Sequence, residues 1–286
     1  MALPVAIQLY SLRDETKADF IGTLKKVKEM GYDGVEFAGL REYADKPEEL
    51  KKIVEEIGLV PISAHVTTDE YMCDEGGIDA VLDRYQKVGV KYVVVPYLME
   101  DRRPGAARWN DPAVPNNTHD LLTRIAEGAK ARGMMLLYHN HDFEFKNLVN
   151  GKYMLEELYD SLPADIFQSE LDTCWVNIGG EVPADYIRKF TGRAPVVHLK
   201  DFYMTGSLPK HLYALIGIDE EEAEAEEATF DFRPVGHGMQ DMPAILKASV
   251  DAGAGWVVVE QDDPSVGTTP MECAAKSIAY VKGLEW

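Results

Sequence analysis

The spacing of apolar residues along this chain switches between a period of two and a period of 3.6 from one end to the other, eight times over. A period of two marks a strand with distinct faces and 3.6 marks an amphipathic helix, so each switch is one strand-to-helix unit. The strand-like runs are VAIQLYS (5–11), GVEFAG (34–39), LVPISAHV (59–66), VKYVVVPY (90–97), MMLLYHNH (134–141), FQSELDTCWV (167–176), PVVHLKD (195–201) and WVVVEQDD (256–263). Phe20, Leu24 and Val27 form one helix face before Gly31, and Leu50, Ile53, Val54 and Ile57 form the next before Gly58. Ile78, Val81, Leu82, Tyr85 and Val88 precede Gly89, and Leu121, Leu122, Ile125 and Ala129 precede Gly133. A glycine just past the last apolar position is a helix stop. Later helices are expected to open at Pro183, near Asp241 with Pro243, and at Thr269 with Pro270, by cap and first-turn chemistry.

Eight such units in 286 residues, with no linker-like break, predict an α/β fold: a (β/α)8 TIM barrel in one domain spanning 1–286. The rival, a doubly wound open sheet, carries a Gly-rich phosphate turn after its first strand in the dinucleotide-binding form, and QLYSLRDET offers none.

Alternate strand residues of a barrel face the axis or the helices. Val5, Ile7, Leu9, Val35, Phe37, Ile62, Ala64, Leu171, Val197, Leu199, Val257 and Val259 make an aliphatic outward set. The opposite parity then holds Gln8, Glu36, Ser63, His65, His139, His141, Glu170, Asp172, His198, Lys200 and Glu260. Ionisable groups in a dry interior cost several kcal/mol apiece, roughly, unless paired, hydrated or metal-bound, so this set predicts a wet functional pocket at the barrel's top. Glu144, Asp172, His198 and Glu260 end the last four strand-like runs, and three carboxylates with one imidazole suit a hard divalent cation. Glu144 lies beyond its strand, where parity does not place it.

YHNHDFEF (138–145), LDTCW (171–175), HLKD (198–201) and VVEQD (258–262), in that order, resemble the sugar phosphate isomerase/epimerase family of xylose-isomerase-like barrels. The resemblance spans nearly the whole chain, from IQLYS to the C-terminal helix. It implies a Glu, Asp, His, Glu metal quartet, here Glu144, Asp172, His198 and Glu260. It also implies one divalent cation, Mn²⁺ first and Mg, Co, Fe or Zn as alternatives, binding adjacent oxygens of a keto-sugar. A proton next to the carbonyl is then removed through an enediolate-type intermediate by the catalytic pair Glu144 and Glu260, with His139 and His141 as second candidates. An isomerase or epimerase is the leading reading. A lyase or dehydratase acting on a keto-sugar, 3-keto-glycoside or inosose is the alternative, because the same enolate can expel a β-substituent.

Substrate contacts are expected from Glu36, His65, Lys200, Gln8 and Arg233. An ion pair with Glu170 or another inward acid is the competing reading for Lys200. The long loop DRRPGAARWNDPAVPNN after the fourth strand, with Arg102, Arg103, Arg108 and Trp109, is expected to shape the substrate mouth or a subunit contact in a homo-oligomer. His119 and His211 are expected at the surface. His237 lies between two glycines where some relatives carry Glu.

The net charge of −20 argues against a nucleic-acid partner, whose phosphates need Lys and Arg, and so against a zinc-cluster phosphodiesterase built on a similar barrel. Seven of the nine residues from Asp219 to Glu227 are acidic and read as a solvated surface segment. Cys73, Cys174 and Cys273, without a C-x-x-C pair, read as reduced thiols. No basic leader precedes the first apolar stretch and no run reaches membrane-spanning length, so a soluble cytoplasmic protein acting on a small sugar is expected, with no membrane partner.

Overall fold

The computed structural model describes residues 2–206 and 229–286. Eight parallel strands close into a barrel: β1 (Val5–Gln8), β2 (Gly34–Ala38), β3 (Val60–His65), β4 (Tyr92–Val95), β5 (Met135–His139), β6 (Phe167–Asp172), β7 (Val196–Leu199) and β8 (Trp256–Val259). Each strand pairs with its sequence neighbours, and β8 returns to β1 through Val257 beside Val5 and Val259 beside Ile7. Helices Phe20–Met30, Pro47–Ile57, Gly77–Val88, Thr118–Ala131, Met154–Asp160, Pro183–Lys189, Met242–Asp251 and Pro270–Gly283 follow the eight strands in turn.

Local chemistry sets these boundaries. Asp19 accepts from the Gly22 N–H to open the first of those helices, and Gly31 closes it in the left-handed region at φ 106°, where a side chain would be strained. Thr269 and Glu272 form a reciprocal capping box ahead of Pro270. Asp241 caps the helix whose Pro243 lies in the first turn. The acidic segment and His211 lie outside the described residues.

Two apolar bodies hold the barrel together. The larger packs the outward faces of the strands, with Val5, Ile7, Val35, Phe37, Leu171, Val197 and Val257 among them, against helix residues such as Leu24, Val54, Leu82 and Ile125. The smaller fills the lower interior with Ala6, Ile62, Tyr92, Val94, Leu137, Val196 and Val258. Ile62 corrects the expected parity: it packs inside, not against the helices. The β2–β3 register jumps from Val35 beside Pro61 to Glu36 beside Ser63, leaving Ile62 as an extra residue in β3. The bulge turns both Ile62 and Ser63 towards the axis, and the Ser63 hydroxyl donates to Glu36.

The sixth strand-like run, expected to continue to Val176, breaks after Asp172. Asp172 Oδ1 accepts from the N–H groups of Cys174 and Trp175 and thereby starts a short helix, Thr173–Ile178. A buried carboxylate is thus placed at a strand end with Oδ1 spent on capping and Oδ2 turned to the Lys200 ammonium at 3.2 Å. No helix among the described residues is long and apolar enough to cross a membrane.

Candidate active site

The inward residues at the C-terminal ends of the strands build the site from below. In β1, Gln8 Nε2 donates to Glu36 Oε1 at 2.7 Å, while its Oε1 accepts from the Tyr10 N–H at 3.0 Å. Glu36 also lies 3.2 Å from His65 Nε2 and 2.9 Å from His198 Nε2. Burial pushes this carboxyl up, but the two imidazoles outweigh it and hold Glu36 well below the usual carboxylate range. Glu170 Oε2 meets three imidazoles: His65 Nε2 at 2.8 Å, His139 Nδ1 at 3.1 Å and His198 Nε2 at 3.2 Å. Glu36 and Glu170 are fully buried, so they fix the rings of His65, His139 and His198 from beneath.

Above that layer, His139, Asp172, His198 and Glu260 each offer one ligand atom, and these atoms all lie within 4.8 Å of one another. His139 Nε2 is 3.7 Å from Asp172 Oδ2 and 3.9 Å from Glu260 Oε2, and His198 Nδ1 is 3.0 Å from Glu260 Oε2. Each imidazole therefore turns one nitrogen to this cluster and the other to a buried carboxylate, the arrangement that orients metal-bound histidines. Asp172 Oδ2 is buried with no well-aligned hydrogen bond, facing the Lys200 ammonium at 3.2 Å and His139 Nε2 at 3.7 Å, a setting that suits a cation ligand. Two carboxylates and two imidazoles fit a divalent ion such as Mn²⁺, Fe²⁺, Co²⁺ or Zn²⁺. His65, His139, Glu170 and His198 form a second, overlapping group of possible ligands. Its carboxylate and rings are already hydrogen-bonded to one another, so it reads as support.

Glu144, expected as the fifth-strand ligand, is not among the converging atoms. It sits in the short helix Phe143–Lys146, buried, with Oε1 2.5 Å from the Tyr138 hydroxyl and Oε2 accepting from the His141 N–H at 2.8 Å. His139, at the end of β5, stands where that ligand was expected. Burial raises the Glu144 carboxyl to about 8, against the donors from Tyr138 and His141 and the charge of Arg103.

Lys200 is also buried. Its Nζ lies 3.2 Å from Asp172 Oδ2, 2.9 Å from Glu260 Oε2 and 3.0 Å from Asp262 Oδ2, so the expected ion pair is made with these inward acids and not with Glu170. Burial opposes its charge, but the three carboxylates prevail and hold the ammonium protonated. The rings of Trp175 and Phe232 lie 5.2 and 5.8 Å from it.

A cleft of about 330 Å³ opens over this floor. His65, His139, His141, Lys200, Glu260 and Asp262 contribute to it from the ionisable set, and Tyr10, Thr67, Glu70 and Tyr97 add polar wall. Gln8 and Glu36 lie beneath the cleft rather than on it. Arg233 is also absent from its lining: in the hairpin of Asp201–Thr205 with Thr229–Arg233, its guanidinium pairs with Asp231 at 2.8 Å.

The loop arginines after β4 are structural. Arg102 donates to the Asn116 carbonyl, Arg103 donates to the Leu98 carbonyl and covers the Phe143 ring at 3.6 Å, and Arg108 pairs with Asp101. Trp109 is buried edge-on to a half-exposed His119, and His237 is exposed. Asp262 was not singled out from the sequence as a site residue, although it shares the inward parity of Glu260 two residues on. Tyr10 lies in the 3-10 turn Leu9–Leu12, Glu70 in the short helix Thr68–Cys73 and Tyr97 just past β4, all beyond the strand ends where parity applies.

Sequence and structure comparisons agree with this architecture. The inosose dehydratase of Lacticaseibacillus casei is 25% identical over 270 residues, covering 88% of this chain and 85% of that protein. A sugar phosphate isomerase/epimerase from Parabacteroides distasonis superposes with a TM-score of 0.74 at 23% identity, covering 98% of this chain and 93% of that one. The 3-keto-D-glucoside 4-epimerase of E. coli superposes with a TM-score of 0.65 at 18% identity, covering 99% and 100%. With residues 24–284 matching the family model of the xylose isomerase-like TIM barrel, the chain belongs to that family.

Proposed function

We propose that this protein is a divalent-metal-dependent isomerase or epimerase that removes the proton next to the carbonyl of a keto-sugar. The observation that carries the reading is the convergence of His139, Asp172, His198 and Glu260 on one point at the floor of the cleft. These four would hold the cation, with Mn²⁺ the first candidate. A cation bound there supplies Lewis-acid polarisation of a substrate carbonyl.

The chain's own residues do the rest. Glu36 and Glu170 lock the imidazole rings, and Lys200 holds Asp172, Glu260 and Asp262 in place without being free to act as a base. His65, Thr67, Glu70, Tyr10 and Tyr97 offer hydrogen-bonding groups to hydroxyls along the wall. Elimination is the second reading, favoured by the relatives named inosose dehydratase. Both outcomes share the first step, loss of the proton beside the carbonyl.

The test is solvent exchange. Protein loaded with Mn²⁺ is incubated in D₂O with an inosose, D-fructose and a 3-keto-glucoside, and NMR follows the protons beside each carbonyl. Exchange of one such proton, abolished by chelation, is the expected result. Its persistence in Asp172→Ala, or its absence for every ketone, would contradict the proposal.

A further inference from the structure

The cleft has two unlike sides. The four residues that would hold the cation come from the arc β5 to β8 of the strand ring, and the arc β2 to β4 supplies the far wall, with Ala38, Gly39, Thr67, Glu70, Pro96 and Tyr97. His65, from the same far arc, is tied at Nε2 by Glu36 and Glu170 in the floor. Among the described residues of the lining, Glu70 is therefore the one carboxylate of the far wall. No arginine is among them, and the one lysine, Lys200, is held by three carboxylates.

Local structure fixes this carboxylate in place. Glu70 lies in the first turn of the short helix Thr68–Cys73, and its N–H donates to Thr67 Oγ1 at 3.2 Å. Its two oxygens accept from the Tyr85 hydroxyl at 3.1 and 3.4 Å, and Tyr85 is fully buried, so the side chain is anchored from the core. A carboxylate offers about four lone-pair positions and the single Tyr85 proton fills one, which leaves acceptors open. Arg84 stands 3.7 Å away but is committed to Asp74 at 2.7 Å, so the negative charge of Glu70 is only partly offset. The opening turn of a helix favours an anion, yet here Asp69 and Glu70 already occupy it.

We infer that Glu70 determines specificity in this cleft: it accepts hydroxyls at the end of the substrate remote from the cation and turns away substrates that carry a phosphate or carboxylate there. The inference rests on the keto-sugar reading above and narrows it to uncharged polyhydroxy ketones. A hydroxyl donates a charge-assisted hydrogen bond to the carboxylate. A phosphate in the same place sets like charge against like charge with no cation on that wall to compensate, which is discrimination by repulsion. The net charge of −20 repels anions from the whole surface, but salt screens that field, whereas Glu70 acts at contact distance.

The test is equilibrium binding to the full chain loaded with Mn²⁺, in about 0.5 M NaCl so that long-range charge is screened. D-fructose and D-fructose 6-phosphate are the matched probes, followed by calorimetric titration. The wild type is expected to prefer D-fructose by at least about tenfold. Glu70→Gln keeps the shape and removes the charge. It is expected to bind D-fructose roughly 3- to 10-fold more weakly and to shrink the preference by about tenfold or more. Glu70→Asp keeps the charge and is expected to keep the preference, with Mn²⁺ content equal in all three proteins. A preference unchanged in Glu70→Gln, or lost equally in Glu70→Asp, overturns the assignment and leaves the keto-sugar reading standing. So does a wild type that binds the phosphate as tightly as the free sugar. Mn²⁺ lost from Glu70→Gln also overturns it, because Glu70 would then be supporting the cation site. Binding of neither sugar, nor of an inosose, to the wild type overturns the reading and the inference together.

Discussion

Two layers of the same barrel interior, one step apart along the same strands, carry opposite chemistry. Ala6, Leu137, Val196 and Val258 form much of the lower layer, and two residues further along their strands come Gln8, His139, His198 and Glu260. The lower layer contributes stability by removing apolar surface from water, at about 25 cal/mol per Å². The upper layer gives up that gain for buried charge, which is weak support for a fold even when paired. Stability and function are therefore separable by a shift of two residues. Strand β4 is the exception, because two residues past Val94 comes Pro96 and no polar side chain from that strand enters the upper layer.

The sharpest test of this division is Asp172→Ala. It is expected to remove the bound cation and lower turnover by at least about a thousandfold, within the range for a lost catalytic group, while stability falls by no more than the roughly 0.5–2 kcal/mol of the helix cap that Asp172 also supplies. Kinetics with parallel melting curves would show it. A variant that lost stability and kept turnover would break the comparison.

Leu137→Ala, two residues below His139, is expected to do the reverse. Denaturant unfolding should show a loss of about 2–5 kcal/mol, with cation affinity unchanged in the folded protein.

Glu144 offers a pH test outside the two layers. The folded protein holds the proton on this carboxyl up to about 8, whereas the unfolded chain releases it near 4.5. The folded state binds the extra proton between those values, so its contribution is fully present below the unfolded pKa and is lost as pH rises to about 8. The stability difference between wild type and Glu144→Gln is expected to move against the wild type across that window, by on the order of a few kcal/mol, and then level off. Equal pH slopes in the two proteins would refute this placement of Glu144.

The smallest expected effect belongs to the support beneath the cluster. Glu36→Gln keeps the shape and removes the charge that orients His65 and His198, so calorimetry should find cation affinity reduced by roughly 10- to 100-fold, the usual range for an outer partner. An unchanged affinity would mean that the rings need no such support.

Much of this architecture can be read from the sequence, because burial imposes its period directly on residue choice. The eight strands, the glycine and Asp/Thr helix boundaries, and the inward positions of Glu36, His139, Glu170, Asp172, His198 and Glu260 all follow from that. Ile62 does not, since a bulge shifts parity without leaving a mark in composition. Glu144 does not, because it lies past the end of β5 in a helical turn whose direction only the folded chain sets. Arg233 was placed with the substrate by its loop, but a carboxylate two residues away on the same strand satisfies it first. Asp262 was legible: the inward parity of β8, continued two residues beyond Glu260, reaches it.

The measurement that tests the account most directly is elemental analysis of metal per chain, on protein purified without added ions or a metal-affinity column and then equilibrated with Mn²⁺. About one equivalent is expected in the wild type and in Glu144→Gln, and none in His139→Ala or Asp172→Ala. Metal lost from Glu144→Gln and retained in His139→Ala would contradict the ligand set on which the whole account rests.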